Sequence, residues 1–320
     1  MRATFKNFQR FSRLCAIAGL PFSGRLVAAL ASGFYRWRLD ETLAPPLIVP
    51  PRNGLPLLLS IPHSGRDYPD WLLAEARHGR RALLSLEDPL VDRLAWRALT
   101  AGFGAVIAHT PRGAIDCNRA ADEVDPASLA EVGTAPVGPR ARHGLGIVPS
   151  RTHRHGQLWK HPLPPQRFRA RLAAAYTPYH AALADGLAAI HARDGIAVLL
   201  DLHSMPPRGR AMAPVVIGNR HGSSGADRLA EAVAAIARRA GFETALNDPY
   251  AGGHIVERHG RPATNIHALQ IEIDRAAYLA RDLMSPGAGF DRVSRLIEAL
   301  ANGLADALAK AAQAPAIAAE

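Results

Sequence analysis

The sequence has little cysteine and no long apolar run, and each shortage excludes a class of protein. Only Cys15 and Cys117 occur among its 320 residues, which excludes a disulfide scaffold and a zinc site of three or four thiolates. Any metal is therefore expected on histidine and carboxylate ligands, which the 14 histidines make feasible. No stretch approaches the ~18 uncharged apolar residues that span a bilayer. With 48% hydrophobic residues, the chain is nevertheless expected to be globular.

Acidic residues are absent from the first 39 positions, and this absence explains most of the net charge of +10. Those positions carry +7, whereas the other 281 residues carry only +3. Pro21, Gly24 and Arg25 interrupt the apolar patches of the segment, which is therefore unlike a secretory signal. One hypothesis is a basic protein that binds nucleic acid or a membrane surface through this segment. Against it, aromatic residues make up only 6% of the chain, and the body of the chain after the basic segment shows no stretch of interleaved basic and aromatic residues.

The chain divides into three predicted parts. Residues 1–50 form a basic extension that enters a Pro-rich linker at Ala44–Pro56, residues 51–313 form one domain, and residues 314–320 form a tail. Short apolar runs predict buried strands at Leu57–Ile61, Gly104–His109, Ile196–Leu200, Ala213–Ile217 and Ala268–Ile273. Longer Ala/Leu/Arg-rich patterns predict helices at Leu83–Thr100, Arg167–Ala192, Gly225–Ala240 and Asp291–Ala312. This alternation predicts an α/β fold with a mostly parallel central sheet flanked by helices.

One long segment, Ala120–Pro164, has no clear periodicity and is rich in Gly, Pro, Arg and His. Irregular insertions of this length in compact domains are usually functional loops. Its histidines, at positions 143, 153, 155 and 161, suggest a second metal site or a phosphate patch. Because their spacing is irregular, a solvated loop is the preferred interpretation.

The residues that carry chemistry fall at the ends of the predicted strands, where the active sites of open α/β sheets lie. His63 and His203 stand at two such ends, Glu272 stands in the last strand, and Arg112 and Asp116-Cys117-Asn118-Arg119 follow a third. Two histidines and a carboxylate are common ligands of catalytic zinc, and a further carboxylate serves as general base. Arginines match substrate carboxylates bidentately. The pattern therefore indicates metal-assisted hydrolysis.

Each of these residues also has an ordinary structural explanation. A lone histidine or glutamate at a strand end is usually a satisfied polar group, and Asp201 is expected to accept hydrogen bonds from a neighbouring turn. Arg112 is equally well interpreted as part of a surface ion pair. Cys117 has no adjacent histidine, which favours a small buried residue over a nucleophile. Gly252-Gly253 predicts either a tight turn or a close approach of the backbone to the site.

Nine sequence blocks occur in one collinear order between Leu57 and Leu279, over 223 of the 320 residues. They are PHSG, LEDPLVDRL, RGAIDCNR, GLGIVP, YTPYHAAL, LLDLHSMP, VVIGNRHG, NDPYAGGHIVERHG and ALQIEIDRAAYL. In this order they resemble the N-formylglutamate amidohydrolase family, which is similar to the zinc carboxypeptidases and to aspartoacylase and succinylglutamate desuccinylase. The resemblance implies a phosphorylase/hydrolase-like α/β domain with a mixed, mostly parallel sheet. It also implies a cytoplasmic enzyme of histidine degradation that hydrolyses N-formyl-L-glutamate to formate and glutamate.

The resemblance further implies a role for each matching residue. His63, Asp88 and His203 match the ligands of a zinc or other divalent metal ion, with Glu87 and Asp92 as rivals of Asp88 because the His-x-x-Glu pattern of the carboxypeptidases is absent here. The remaining roles follow the same blocks: general base for Glu272, orientation of His63 for Asp116, and binding of the substrate's carboxylates for Asn118, Arg119 and Arg112.

Two alternatives stay open beside this hypothesis. A related deacylase with the same metal site would act on a different N-acyl amino acid, because pocket size decides the acyl group and the sequence does not reveal it. In the metal-hydrolase interpretation, the partner is a small N-acyl amino acid, with no nucleic acid and no membrane span. The basic binding protein described above is the alternative from another class.

Overall fold

A computed structural model describes residues 43–130, 138–209 and 212–313. The predicted basic extension and its charge lie largely outside these residues, as do Cys15 and the predicted tail. The chain from Leu43 onward forms one compact unit. None of the described helices is long and apolar enough to cross a membrane.

Nine strands occur in the described residues, and seven of them form one sheet. Their bounds are β1 Leu47–Val49, β2 Leu57–Ile61, β3 Gly104–Ile107, β4 Arg151–Thr152, β5 Gly156–Gln157, β6 Ala197–Met205, β7 Val215–Gly218, β8 Thr244–Leu246 and β9 Ile266–Asp274. The large sheet has the order β1-β3-β2-β6-β9-β7-β8, while β4 and β5 pair separately. Strands β3, β2, β6 and β9 run parallel to one another, and β1 and β7 pair antiparallel with β3 and β9. The predicted mixed, mostly parallel sheet is thus confirmed.

Helices cover both faces of this sheet. Their bounds are α1 Asp70–Glu75, α2 Gly79–Leu84, α3 Val91–Leu94, α4 Trp96–Thr100, α5 Pro139–Arg142, α6 Pro165–Arg171, α7 Thr177–Asp194, α8 Asp227–Arg239, α9 His254–His259 and α10 Phe290–Gln313. A π-helical turn, Leu172–Tyr176, joins α6 to α7, and short 3₁₀ turns occupy Pro262–Thr264 and Arg275–Ala277. Helices α3, α4, α8 and α10 pack on one face, and α7 and α9 pack on the other.

Strand alternation decides which face carries the polar residues. In β6, Val198, Leu200 and Leu202 belong to the core shared with α8 and α10, while Ala197 and Leu199 belong to the core under α7. Successive side chains of a strand point to opposite faces. Asp201 and His203 therefore continue the α7 face, and Gln270 and Glu272 do so in the neighbouring strand β9, whose residues pair with β6.

Two predictions along the chain differ from the structure. The single helix expected at Leu83–Thr100 is interrupted after Leu84, because the backbone N–H of Asp88 donates to His63 O at 2.8 Å instead of continuing the helix. Part of the predicted linker Ala44–Pro56 forms β1, which pairs with β3, so the folded unit begins before residue 51. Pro-rich flanks are compatible with a short edge strand, since an edge leaves N–H groups unpaired.

Candidate active site

The site begins with His63, which lies just beyond the carboxyl end of β2. Its ring contacts two carboxylates: Nε2 lies 2.7 Å from Asp116 Oδ1, and Nδ1 lies 3.3 Å from Asp88 Oδ2. Asp116 also accepts hydrogen bonds from the backbone N–H of Asn118 and from Arg112 Nε, both at 2.8 Å. Burial alone would raise the pKa of Asp116, but the nearby charge of Arg112 and the contact with His63 hold this pKa well below its usual range. An ionised Asp116 directs the Nε2–H of His63 toward itself, which leaves Nδ1 with a free lone pair.

His203, near the end of β6, is held in the same way. Its Nε2 lies 2.9 Å from Asp201 Oδ2, and Asp201 Oδ1 accepts a hydrogen bond from Ser60 Oγ at 2.7 Å. Asp201 is therefore not satisfied by a turn, as the sequence suggested, but by a histidine and by a serine of β2. The Nε2–H of His203 donates to Asp201, so its Nδ1 also presents a lone pair.

Asp88 completes the group, and its two rivals lie elsewhere. Glu87 accepts from Tyr68 OH at 2.8 Å and from the backbone N–H of Arg112 at 2.9 Å, while Asp92 pairs with Arg66. Sequence reasoning missed Arg275, whose Nη2 donates to Asp88 Oδ1 at 3.1 Å. The second oxygen of Asp88, Oδ2, faces the two histidines.

Three ligand-type atoms converge at this point. His63 Nδ1 and His203 Nδ1 are 3.1 Å apart, and Asp88 Oδ2 lies 3.3 Å and 3.0 Å from them. All three residues are buried. Three lone pairs at this separation repel one another unless a proton or a cation lies between them. Zinc bonds of ~2.0–2.2 Å at tetrahedral angles place ligand atoms about 3.3–3.5 Å apart, so the donor set fits such an ion.

The electrostatics of the group agree with this requirement. Burial alone would raise the pKa of Asp88, but hydrogen bonds with His203 and His63 outweigh it and hold the pKa well below its usual range. Burial alone would lower the pKa of His203, but the charge of Asp201 raises it well above its usual range. Without a cation, a proton on His203 Nδ1 satisfies the three atoms; a divalent ion would take its place.

Glu272, in β9, pairs in register with His203 and is only 8% exposed. Burial raises the pKa of its carboxyl to about 7. Gln270, which sequence reasoning missed, donates from Nε2 to Glu272 Oε1 at 2.9 Å and accepts from the backbone N–H of Gly253 at 2.7 Å. The alternation of polar residues in the block QIEID was the signal that could have indicated it. A carboxyl with a pKa near neutrality, held by one amide, has the properties of a general base.

The Asp116–Arg119 turn brings two further predicted residues to the site. Asn118 Oδ1 accepts from the backbone N–H of Ile255 at 2.8 Å, and its Nδ2 lies 3.2 Å from His203 Nε2. Arg119 is 6% exposed and donates to Leu145 O and to Asn118 O, both at 2.7 Å. A Cβ at Gly253 would lie 2.4 Å from the Asn118 amide, so this glycine permits a close approach to the turn.

The side chains of Arg112 and Cys117 are both engaged in contacts within the protein. Arg112 is 18% exposed, and besides its contact with Asp116 its Nη1 donates to Leu86 O at 3.1 Å. It is therefore neither a surface ion pair nor an uncommitted guanidinium. Cys117 is buried, and burial raises the pKa of its thiol, as expected of a packed residue.

One cavity of about 700 Å³ connects these residues to solvent. We call His63, Asp88, His203 and Glu272, which all line it, its floor. Six further lining residues come from the irregular segment, and we call them the outer wall: Arg140, His143, Leu145, Arg151, Thr152 and His153. The four histidines of that segment do not form a cluster, since the ring of His155 lies 6.1 Å from that of His78 and His161 lines a different cavity.

Comparisons with known proteins agree on one family. Residues 55–279 match the sequence profile of the family described as N-formylglutamate amidohydrolase. An N-formylglutamate deformylase of Pseudomonas aeruginosa is 31% identical over 238 residues, covering 71% of this chain and 84% of that protein. An enzyme of the same name from Pseudomonas putida is 30% identical over 244 residues, covering 71% of this chain and 83% of that protein.

Solved structures extend the similarity to the fold. The crystal structure of an N-formylglutamate amidohydrolase from Ralstonia eutropha has a TM-score of 0.77 and 31% identity, and the match covers 84% of this chain and all (100%) of that one. A gene product of Agrobacterium tumefaciens, with a TM-score of 0.61 and 19% identity over 84% of this chain and 95% of that one, shares the fold. The described architecture is therefore one that similar proteins adopt.

Proposed function

The chain belongs to the N-formylglutamate amidohydrolase family, and on that premise we propose that it hydrolyses N-formyl-L-glutamate to formate and glutamate with the help of a divalent metal ion. The observation that carries the proposal is the convergence of His63 Nδ1, His203 Nδ1 and Asp88 Oδ2 within 3.3 Å beside a buried glutamate. Hydrolysis of an unactivated amide needs an activated water and a proton for the leaving nitrogen. The floor of the cavity supplies groups suited to both tasks.

His63, Asp88 and His203 would hold the metal ion. When bound, such an ion polarises the formyl carbonyl and lowers the pKa of a water molecule. Asp116 and Asp201 fix the ring orientation and the tautomer of the two histidines, and Arg275 fixes the carboxylate of Asp88. Each proposed ligand is thus held by a charged neighbour.

Glu272 is the proposed general base and acid. Its carboxylate accepts a proton from the attacking water and returns it to the nitrogen as the carbon–nitrogen bond breaks. A pKa of about 7 keeps both protonation states accessible near neutral pH. Gln270 donates to Oε1, so it orients the carboxyl group and leaves Oε2 for the proton transfer.

Arg119 and Asn118 are proposed to position the substrate through its main-chain carboxylate. Two nitrogens of Arg119 donate to carbonyl groups, and Nη2 makes no hydrogen bond with the described residues. The guanidinium is therefore held rigidly with one edge available, which supplies orientation rather than chemistry. Arg112 acts with it mainly by keeping Asp116 ionised.

Three finer points belong to the same proposal and rest on the family resemblance. They are zinc as the metal, a place in histidine degradation and a cytoplasmic location. The alternative of a different N-acyl amino acid as substrate keeps the floor unchanged. Relative rates of deacylation of formyl-, acetyl- and succinyl-glutamate show whether the formyl group or another acyl group is preferred.

The proposal is tested by replacing Glu272 with Gln, which keeps its size and removes the proton acceptor. Because general acid–base catalysis contributes ~10²–10⁴-fold, we expect formate release to fall by about 10³-fold while the metal content stays normal. Glu298→Gln, on the distant helix α10, is the control and should match the wild type. Unchanged turnover of Glu272→Gln with a full complement of metal would show that the mechanism is wrong.

A further inference from the structure

The outer wall differs from the floor in the sign of its charges. Among all residues that line the cavity there are five arginines, at positions 112, 119, 140, 151 and 275, but only two acids, Asp88 and Glu272. Both acids belong to the floor. Arginines thus outnumber acids in the lining of this cleft, which favours anionic ligands.

Three of the five guanidiniums already have carboxylate partners. Arg112 contacts Asp116 at 2.8 Å, Arg275 contacts Asp88 at 3.1 Å, and Arg151 contacts Asp125 at 3.4 Å. These partners hold the three side chains against the protein. They are therefore less available for the direct binding of a ligand.

Arg119 and Arg140 are the two that have no carboxylate within hydrogen-bond distance. The nearest carboxylate oxygen to Arg119 is that of Asp116 at 3.9 Å. The guanidinium of Arg140, at the start of the outer wall on α5, forms no hydrogen bond or ion pair with the described residues, although its backbone carbonyl accepts from the N–H groups of His143 and Leu145. The two lie close enough that the charge of Arg140 contributes to lowering the pKa of Arg119, after the larger effect of burial. Glu123 lies near both, but it does not line the cavity and is not within ion-pair distance of either.

Two guanidiniums that line one cavity favour a ligand that offers a carboxylate to each of them. We propose that Arg140 forms a second anion subsite in the outer wall, which binds the side-chain carboxylate of the substrate while Arg119 binds the main-chain carboxylate. The subsite selects N-acyl derivatives of acidic amino acids over neutral ones of the same size. This inference rests on the proposed function and names a residue that determines its selectivity.

The segment that carries Arg140 is suited to binding a carboxylate. His143 Nδ1 donates to Pro139 O at 2.7 Å, which closes the short helix α5 and leaves the other ring nitrogen, Nε2, uncommitted. Arg140 and His143 are both exposed, so an incoming carboxylate reaches them without displacing protein groups. A neutral amide in the same place would gain little from the charge of Arg140.

Binding is tested first with ligands that the protein does not turn over. Calorimetry compares glutarate, a dianion, with its monoamide, which has the same shape and one charge less. We expect the wild type to bind glutarate at least about tenfold more tightly, and Arg140→Ala to remove most of that difference. Arg154→Ala, an exposed arginine of the same segment that does not line the cavity, should retain the difference. Equal binding of both ligands by the wild type would overturn the subsite.

Turnover supplies the second measurement and separates the two proposals. We expect Arg140→Ala to lower kcat/KM for N-formylglutamate at least about tenfold more than that for N-formylglutamine, chiefly through KM, with partial recovery in Arg140→Lys. If Arg140→Ala lowers both values equally, Arg140 serves the structure and the subsite is wrong, although the proposed function stands. If the wild type releases no formate from either substrate, the proposed function fails and calorimetry still decides the subsite.

Discussion

The two sides of the cavity are built by opposite means. On the floor, every charged group is buried and held by at least one partner, as Asp116 holds His63 and Arg275 holds Asp88. In the outer wall, Arg140 and His153 are exposed on short elements without such support. Bond-breaking needs groups fixed in place, because their reorganisation would add to the barrier. Recognition of a charged side chain tolerates mobility, because the ligand itself completes the site.

The largest effect that separates the two sides is expected from Asp116→Asn. This change removes the negative charge and one of the two carboxylate oxygens that hold His63 and Arg112, so metal affinity and kcat/KM should each fall by about 10–100-fold. Competition with a chromophoric chelator measures the affinity. The matched control is Asp125→Asn, since Asp125 is also buried but accepts hydrogen bonds from Ser150 and from Arg151 of the outer wall. A loss of metal affinity as large in Asp125→Asn would abolish the distinction between the two sides.

A smaller effect on catalysis is expected from Arg119→Lys. This change preserves the positive charge but removes the planar guanidinium with its several N–H donors. The buried lysine cannot reach both Leu145 O and Asn118 O, so the substrate carboxylate loses its fixed partner. We predict an increase in KM of about tenfold with a smaller change in kcat. Arg140→Lys, in the exposed wall, should raise KM less than Arg119→Lys does. The attraction between an exposed cation and a carboxylate depends less on the shape of the cationic group. The reverse order of the two KM values would contradict this difference.

The layer behind the floor predicts a pH effect on stability. His180 Nδ1 lies 2.9 Å from His259 Nε2, and His180 Nε2 lies 3.0 Å from Cys117 O, directly beneath the Asp116–Arg119 turn. Burial lowers the pKa of His180 to about 2 and that of His259 to about 4. The folded protein therefore keeps both neutral, whereas the unfolded chain takes up protons below its pKa of ~6.5.

The sign of this effect follows from proton uptake. The contribution of these two histidines to the free energy of unfolding is fully present above pH ~6.5. It falls as the pH decreases toward 4, by about 1 kcal/mol per pH unit for each histidine. Urea unfolding at three pH values in this window measures the slope. His259→Gln should reduce it, while His153→Gln in the exposed wall serves as the control. An identical slope in His259→Gln and the wild type would refute the prediction.

The sequence predicted the floor better than the wall for a physical reason. Strands repeat every two residues, so the apolar positions of β6 and β9 already imply that His203 and Glu272 share a face. The carboxyl ends of parallel strands then meet at one edge of the sheet, where the structure brings His63 to His203. Local periodicity was sufficient for this inference.

Other features depended on contacts between distant residues. The interruption before Asp88 could not be read from the helical pattern at Leu83–Thr100, because it is imposed by hydrogen bonds to His63 and Ser64. The outer wall has no periodicity, so nothing in its sequence indicated that Arg140 lines the cavity while His161 does not. Tertiary packing, rather than local preference, decides such positions.

The central claim is that the floor is a metal-dependent hydrolytic site. Stepwise addition of Zn²⁺ to chelator-treated protein, with formate release from N-formylglutamate recorded at each step, tests it most directly. We predict no turnover without the ion, a rise that reaches its maximum at about one equivalent, and no restoration in His203→Ala. Full turnover by the metal-free wild type would contradict the claim.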